Sequence, residues 1–251
     1  MRIFSARNLC KVARLFTRDP RAFFKKLYRT FRPMRKDYRK RFSMKLSQWL
    51  LRHNREMAFY RCHWMGVFIG KMPIDAWVYQ EIVYDVQPDI IVEIGSYAGG
   101  STLYFAHLLD LLGKGTVISI DIDRTEYCVK HDRIIVITGD SASREIIAEV
   151  SELCRGKSVL VVQDADHRKE KVLKDLEDYS RLVSVGSYFI VEDSIVDLFK
   201  ARHGLWDFGD EPGPLAAVEQ FISENHDFVV DTERERYILT YNPRGFLKRI
   251  R

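Results

Sequence analysis

Acids recur at the ends of apolar runs in this chain, and glycines cluster behind the first of them. The run VEIGSYAGGST (Val92 to Thr102) carries Glu93 two residues before Gly95, with Ser96, Gly99 and Gly100 following. About 20 residues later, at the spacing expected of a ribose-binding acid, ISIDID (Ile118 to Asp123) offers Asp121 and Asp123. Glycines let the backbone turn tightly and approach a ligand closely. An acid at that distance accepts hydrogen bonds from the ribose hydroxyls of a nucleoside cofactor; Asp121 is the first candidate and Asp123 the fallback. The loop reads G-S-Y-A-G-G rather than G-x-G-x-x-G. A dinucleotide pyrophosphate favours a glycine-lined helix N-terminus, whereas the nearby Glu93 suits a positively charged cofactor such as S-adenosylmethionine. A third run ends ITGDS, where Asp140 could accept from an adenine amino group with the Ser141 amide facing the ring. A tight strand-to-helix turn alone would account for Gly95 and Gly99, but not for acids closing three consecutive runs.

Two further runs end Gln163-Asp164-Ala165-Asp166-His167 and Val191-Glu192-Asp193-Ser194. Adjacent parallel strands lie about 4.8 Å apart, so these acids converge on one rim. Clustered carboxylates repel unless a proton or a cation sits among them. All-oxygen ligation points to Mg²⁺, Mn²⁺ or Ca²⁺ and away from a two-His-one-carboxylate iron centre. Asp164, Glu192 and Asp193 are the expected ligands; alternation along the strand turns Asp166 differently. Capping a following helix is the commoner fate of a single such aspartate, but it does not explain four acids at two ends. His167, three residues after Asp164, is placed to take the proton of a metal-bound hydroxyl; the plainer reading is a surface or helix-start histidine. Methyl transfer is an in-line displacement that needs an aligned nucleophile more than covalent help.

The elements that must position these residues alternate. Strand signals lie at 89–95, 115–121, 133–138, 158–164 and 186–193, each β-branched and apolar on both faces, as in a covered parallel sheet. Helical stretches fall at Ser101–Leu112, Ser143–Cys154 and Glu170–Leu182, and two last strands, 227–231 and 236–242, are expected to pair antiparallel across a short turn. The expected fold is α/β: a doubly wound, mostly parallel seven-stranded sheet, similar to that of class I methyltransferases, with an antiparallel C-terminal hairpin and an N-terminal helical extension.

The chain has 251 residues, 46% of them hydrophobic and 30% charged, enough to bury a core without disulfides or metal. Its net charge of +5 hides an asymmetry: residues 1–56 hold 18 Lys/Arg against 3 Asp/Glu, while the rest holds 22 against 32. Two helical segments are expected in this basic arm, near Arg21–Thr30 and Asp37–Cys62. The division expected is a basic extension over 1–60 and a catalytic domain over 61–251. The arm suits an anionic membrane surface or a second subunit of a homo-oligomer. No reader motif accompanies the charge, so nucleic acid is not an expected partner. Four scattered cysteines and the lack of a long apolar run point to a cytoplasmic protein, peripheral at most to the inner membrane surface.

Taken in order, Trp64-Met65-Gly66, Lys71-Met72-Pro73-Ile74-Asp75, VEIGSYAGGS, Gly139-Asp140-Ser141, Asp164–His167, Val191–Asp193, Gly213–Val218 and the ending RERYILTYNPRGFLKR resemble the cephalosporin hydroxylase/rhamnosyl O-methyltransferase family over roughly residues 60–250. The resemblance implies a Mg²⁺-dependent, S-adenosylmethionine-dependent O-methyltransferase acting on a sugar hydroxyl of a glycolipid, polysaccharide or natural product, with Asp164, Glu192 and Asp193 as its metal triad. Metal-dependent catechol methyltransferases, similar in fold, carry a base lysine where this chain has His167. The aromatic segment 198–213, with Trp206 and Phe208, is expected to cover the acceptor. The competing readings are an NAD(P)-dependent oxidoreductase, for which no Tyr-x-x-x-Lys set is evident, and a non-catalytic docking protein, which would leave the acidic cluster unused.

Overall fold

The computed structural model describes residues 42–54, 61–199 and 211–251. The chain divides into two compact units, residues 1–61 and 62–251. In the first, the described residues form helix α1 (Leu46–His53), whose Leu50 and Leu51 are buried. The segment Arg21–Thr30 lies outside the described residues, as does much of the second segment expected in the basic arm.

The second unit opens with a small antiparallel pair, β1 (His63–Trp64) and β2 (Val67–Phe68), and helix α2 (Pro73–Val86). Proline at the first turn of α2 gives up no hydrogen bond there. Then follow β3 (Ile90–Ile94), α3 (Gly100–Leu112), β4 (Thr116–Asp121), β5 (Ile134–Thr138), α4 (Arg144–Cys154), β6 (Val159–Gln163), α5 (Lys169–Tyr179), β7 (Tyr188–Val191), α6 (Pro214–Glu224), β8 (Phe228–Val230) and β9 (Phe246–Arg249). The sheet order is β5-β4-β3-β6-β7-β9-β8. The five strands β3 to β7 pair in parallel; β9 runs antiparallel to both β7 and β8.

Alternating residues of each strand pack on opposite layers. Ile90, Val92 and Ile94 face α4, α5 and α6, whereas Ile91 joins Val78, Tyr79, Phe105 and Leu109 from α2 and α3. The expected strand at 236–242 is a correction: Thr232–Glu235 is a 3-10 turn, and the last strand is Phe246–Arg249, which pairs with β8 instead. The apolar run Tyr237 to Tyr241 reads as a strand, but Asp75 and Glu81 on α2 draw it off the sheet, accepting from the Tyr241 amide (2.8 Å) and the Tyr237 hydroxyl (2.9 Å).

The strand order reverses between β3 and β6, since β4 and β5 extend one way from β3 and β7 the other. Ligands of doubly wound sheets bind beyond the carboxyl ends of the strands at this point. The ladder continues past the strands there: Gly95 N–H donates to Ile120 O (2.8 Å), Asp164 N–H to Ile94 O (2.8 Å) and Glu192 N–H to Gln163 O (3.0 Å). The acids that close the strands are therefore held in register.

Candidate active site

At the switch point lies a cavity of about 430 Å³ whose lining includes Gly95, Asp121, Asp140, Ser141, Asp164 and Asp175. Gly95 has φ +84, and a Cβ there would lie 2.3 Å from the Asp164 carbonyl oxygen, so no other residue lets β3 turn against the loop after β6. Asp121 Oδ2 accepts from the amides of Ser96 (2.9 Å) and Tyr97 (2.8 Å), which ties the glycine loop to the end of β4. A carboxylate has acceptor capacity beyond these bonds, and Asp121 faces the cavity as a ribose ligand must. Asp140 is exposed, accepting from the Ala142 amide (3.0 Å).

Several residues expected at the cofactor do something else in this structure. Glu93 is fully buried inside β3 and accepts from the Thr102 hydroxyl of α3; burial raises its carboxyl above the ordinary value. It does not line the cavity, and neither do Ser96, Gly99, Gly100 or Asp123. Gly99 caps α3 at φ +86, Gly100 lets the first turn of α3 touch Phe68 (a Cβ would sit 2.1 Å from its carbonyl oxygen), and Asp123 closes a local turn with Thr125.

Asp175 was not expected. It lies on α5 among Val172, Leu176 and Tyr179, an acid within an apolar stripe, and that break in the stripe is the sequence signal that exposes it. Ser141 Oγ donates to it (2.8 Å), and so does Gln163 Nε2 (3.4 Å), which accounts for a polar residue at the end of buried β6. Burial raises the Asp175 carboxyl to about 6.

Beside the cavity stands the acidic cluster. One ligand atom each from Asp164, His167 and Asp193 lie within 4.8 Å of one another. His167 Nε2 is 3.2 Å from Asp193 Oδ2 and 3.5 Å from Asp164 Oδ1. Burial lowers the imidazole's affinity for a proton, but Asp164 and Asp193 outweigh it and raise His167 to about 10. Glu192, the third expected ligand, is buried next to Asp193 and bound through Oε2 to the Lys71 ammonium at 2.7 Å; its Oε1 is buried with no hydrogen-bond partner. Asp166 turns away and pairs with Arg168.

Lys71 also binds Asp164. Its side chain is only 5% exposed. Burial opposes its charge, yet the two carboxylates win and raise its pKa, so it remains an ammonium. At Asp164 burial likewise opposes charge, and Lys71 followed by His167 holds the carboxyl below its ordinary value. Nothing in the local sequence marked Lys71 as inward-facing; its position follows from the packing of α2, two residues on.

The Asp193 corner is buttressed from the C-terminal segment. Asp193 has φ +56, and its amide donates to Asn242 Oδ1 at 2.9 Å. Asn242 in turn donates to the Tyr79 hydroxyl (2.6 Å), and the Ser194 hydroxyl donates to Pro243 O (2.7 Å). Trp206 and Phe208 lie outside the described residues; the end of their segment is anchored by Asp197, which accepts from the amides of Gly213 (2.8 Å) and Ala216 (3.1 Å).

The model of the family described as Rhamnosyl O-methyltransferase/CmcI matches residues 56–250. The rhamnosyl O-methyltransferase of Mycobacterium tuberculosis is 30% identical over 195 residues, covering 74% of this chain and 77% of the relative. That of Mycobacterium leprae is 31% identical over 194 residues, covering 74% and 82%. Among solved structures, CmcI with Mg and SAM superposes with a TM-score of 0.60 at 22% identity over 88% of each chain. CmcI with SAH gives 0.58 at 21% identity, over 88% of this chain and 94% of that one. A mostly parallel sheet with antiparallel last strands, a cavity at its switch point and a family match across nearly all of the second unit lead to one conclusion: the chain belongs to the rhamnosyl O-methyltransferase/CmcI family and is, with it, an O-methyltransferase.

Proposed function

We propose that the enzyme methylates a sugar hydroxyl, that it does so with a divalent cation, and that Asp164, Glu192 and Asp193 hold the cation beside the cofactor cavity. The observation that carries the metal reading is the donor set. Asp164 and Asp193 converge with His167, Lys71 joins Glu192 to Asp164, and Glu192 Oε1 is buried and unpartnered. Such hard oxygen donors fit Mg²⁺ or Mn²⁺. When bound, the cation would polarise the acceptor hydroxyl and lower its pKa. The sugar acceptor is supported by the names of the mycobacterial relatives.

The chain's own residues supply the rest. Asp121 holds the ribose and the Gly95 turn admits the cofactor; Asp140 and Ser141 flank the far end of the cavity as candidates for the adenine. The acceptor oxygen attacks the methyl carbon as the carbon–sulfur bond breaks, the electron pair leaving on the thioether sulfur. The hydroxyl proton passes to His167. Asp164 and Asp193 favour the protonated imidazole; a cation held by both carboxylates would offset that pull and leave His167 able to accept the proton.

Calorimetry with S-adenosylmethionine and Mg²⁺, on the wild type and on Asp164→Ala, tests the site. A chelator-sensitive transfer of labelled methyl to rhamnose-bearing acceptors tests the reaction. The expected outcome is micromolar cofactor binding, a Mg²⁺ signal lost in Asp164→Ala, and transfer abolished by chelator. Transfer undiminished by chelator would overturn the metal reading, and transfer confined to non-sugar hydroxyls would overturn the acceptor reading.

A further inference from the structure

Lys71 contacts one oxygen on each of two expected metal ligands. Its ammonium binds Asp164 Oδ2 and Glu192 Oε2, while Asp164 Oδ1 faces His167 and Glu192 Oε1 has no partner. The backbone behind it is fixed. The Lys71 carbonyl accepts from Cys62 Sγ (3.2 Å), Met72 is 2% exposed, and α2 starts at Pro73. The side chain thus reaches the cluster from a rigid base, and 5% exposure leaves it little contact with solvent.

We propose that Lys71 is a tethered counter-ion that shares Asp164 and Glu192 with the divalent cation, keeping the pair together when the cation is absent and holding the cation's affinity down when it is present. The inference rests on the metal reading above. Three carboxylates alone would present more negative charge than a divalent ion needs. With the ammonium among them, the donor set matches a doubly charged ion and is less suited to a triply charged one. Two cations sharing carboxylates a few ångströms apart repel strongly in a dry site, so removal of the lysine tightens metal binding. Removal also leaves two buried carboxylates without their partner, which destabilises the metal-free protein.

The test is calorimetric titration of Lys71→Met with Mg²⁺ and with Tb³⁺, beside thermal melts with and without metal. Mg²⁺ is expected to bind on the order of tenfold tighter than in the wild type, with a larger gain for Tb³⁺. The metal-free variant should melt about 10 °C lower, and Mg²⁺ should recover more of that loss than the same ion gives the wild type. A lysine with a purely structural role would lose metal affinity together with stability. A folded Lys71→Met that binds Mg²⁺ no tighter than the wild type overturns the proposal, even where the wild-type signal and its loss in Asp164→Ala uphold the metal site. Mg²⁺ binding absent from both wild type and Lys71→Met brings down the metal reading and this inference with it. If Lys71→Met fails to fold, Glu192→Gln is compared with Lys71→Met/Glu192→Gln, where one cation and one anion are removed together. The double variant must then bind Mg²⁺ tighter than the single one, and equal or weaker binding overturns the proposal.

Discussion

Gly95 is the residue on which both halves of the site depend. Its left-handed φ of +84, and the mere 2.3 Å that would separate an added Cβ from Asp164 O, leave no room for alanine. Gly95→Ala is expected to cost about 2–4 kcal/mol in denaturant unfolding and to weaken S-adenosylmethionine binding at least about tenfold, because the same shift displaces the loop from Asp121. Equal affinity in calorimetry would show that the turn is not part of the cofactor site. Behind the acidic cluster, Asp75 titrates unusually: burial raises its carboxyl from 3.8 to about 7. The folded state therefore keeps a proton that the unfolded chain has lost. Stability from this group is fully present below the unfolded value of 3.8 and is lost as pH rises toward 7. Asp75→Asn removes that dependence while an amide oxygen still accepts from Tyr241 N–H. Relative to wild type, the variant should gain about 2–3 kcal/mol between pH 5 and pH 8. Parallel pH profiles in chemical denaturation would refute the shift.

Among the elements, the turn Asn242–Gly245 shows what separates the legible from the illegible. Strands β3 to β7 and their helices could be read because each carries its own periodicity, and the acids at the strand ends could be read because a parallel sheet brings successive carboxyl ends to one edge. The resemblance in motif order pointed to the same family that the matches show. The last segment is different. Residues 236–242 are apolar enough for a strand, but their geometry is decided by Asp75 and Glu81 on a distant helix, through bonds that span 166 and 156 residues of sequence. Lys71 and Asn242 escaped for the same reason, since both act through partners that only the fold supplies. Asn242 is fully buried between the Asp193 amide and the Tyr79 hydroxyl. Asn242→Ala leaves both unpaired and should cost about 1–3 kcal/mol. It should also slow methyl transfer while cofactor affinity stays near wild type, because Asn242 does not line the cofactor cavity. A loss of cofactor affinity as large as the loss of rate would contradict a role confined to the Asp193 corner.

At the scale of the whole molecule, the charge of the sequence and the division of the fold coincide. The boundary between the two compact units falls at Arg61, close to where the excess of basic residues ends. The family match also begins close by, at residue 56. Every residue proposed for the cofactor site and every member of the acidic cluster lies in the second unit, whose two apolar layers are themselves built from residues after 62. No helix among the described residues is long and apolar enough to cross a membrane. An affinity of the arm for anionic surfaces, carried by its 18 Lys/Arg, would be screened by salt. We propose that catalysis and attachment are separate, the first residing in residues 62–251 and the second in the basic arm. A chain of residues 62–251 should fold cooperatively and bind S-adenosylmethionine with the affinity of the full protein. The full chain alone should sediment with vesicles containing anionic lipid, and it should be released as salt rises from about 0.05 to about 0.5 M. Equal sedimentation of both chains would show that the body rather than the arm meets the membrane. A truncated chain unable to bind cofactor would show that the basic segment completes the enzyme.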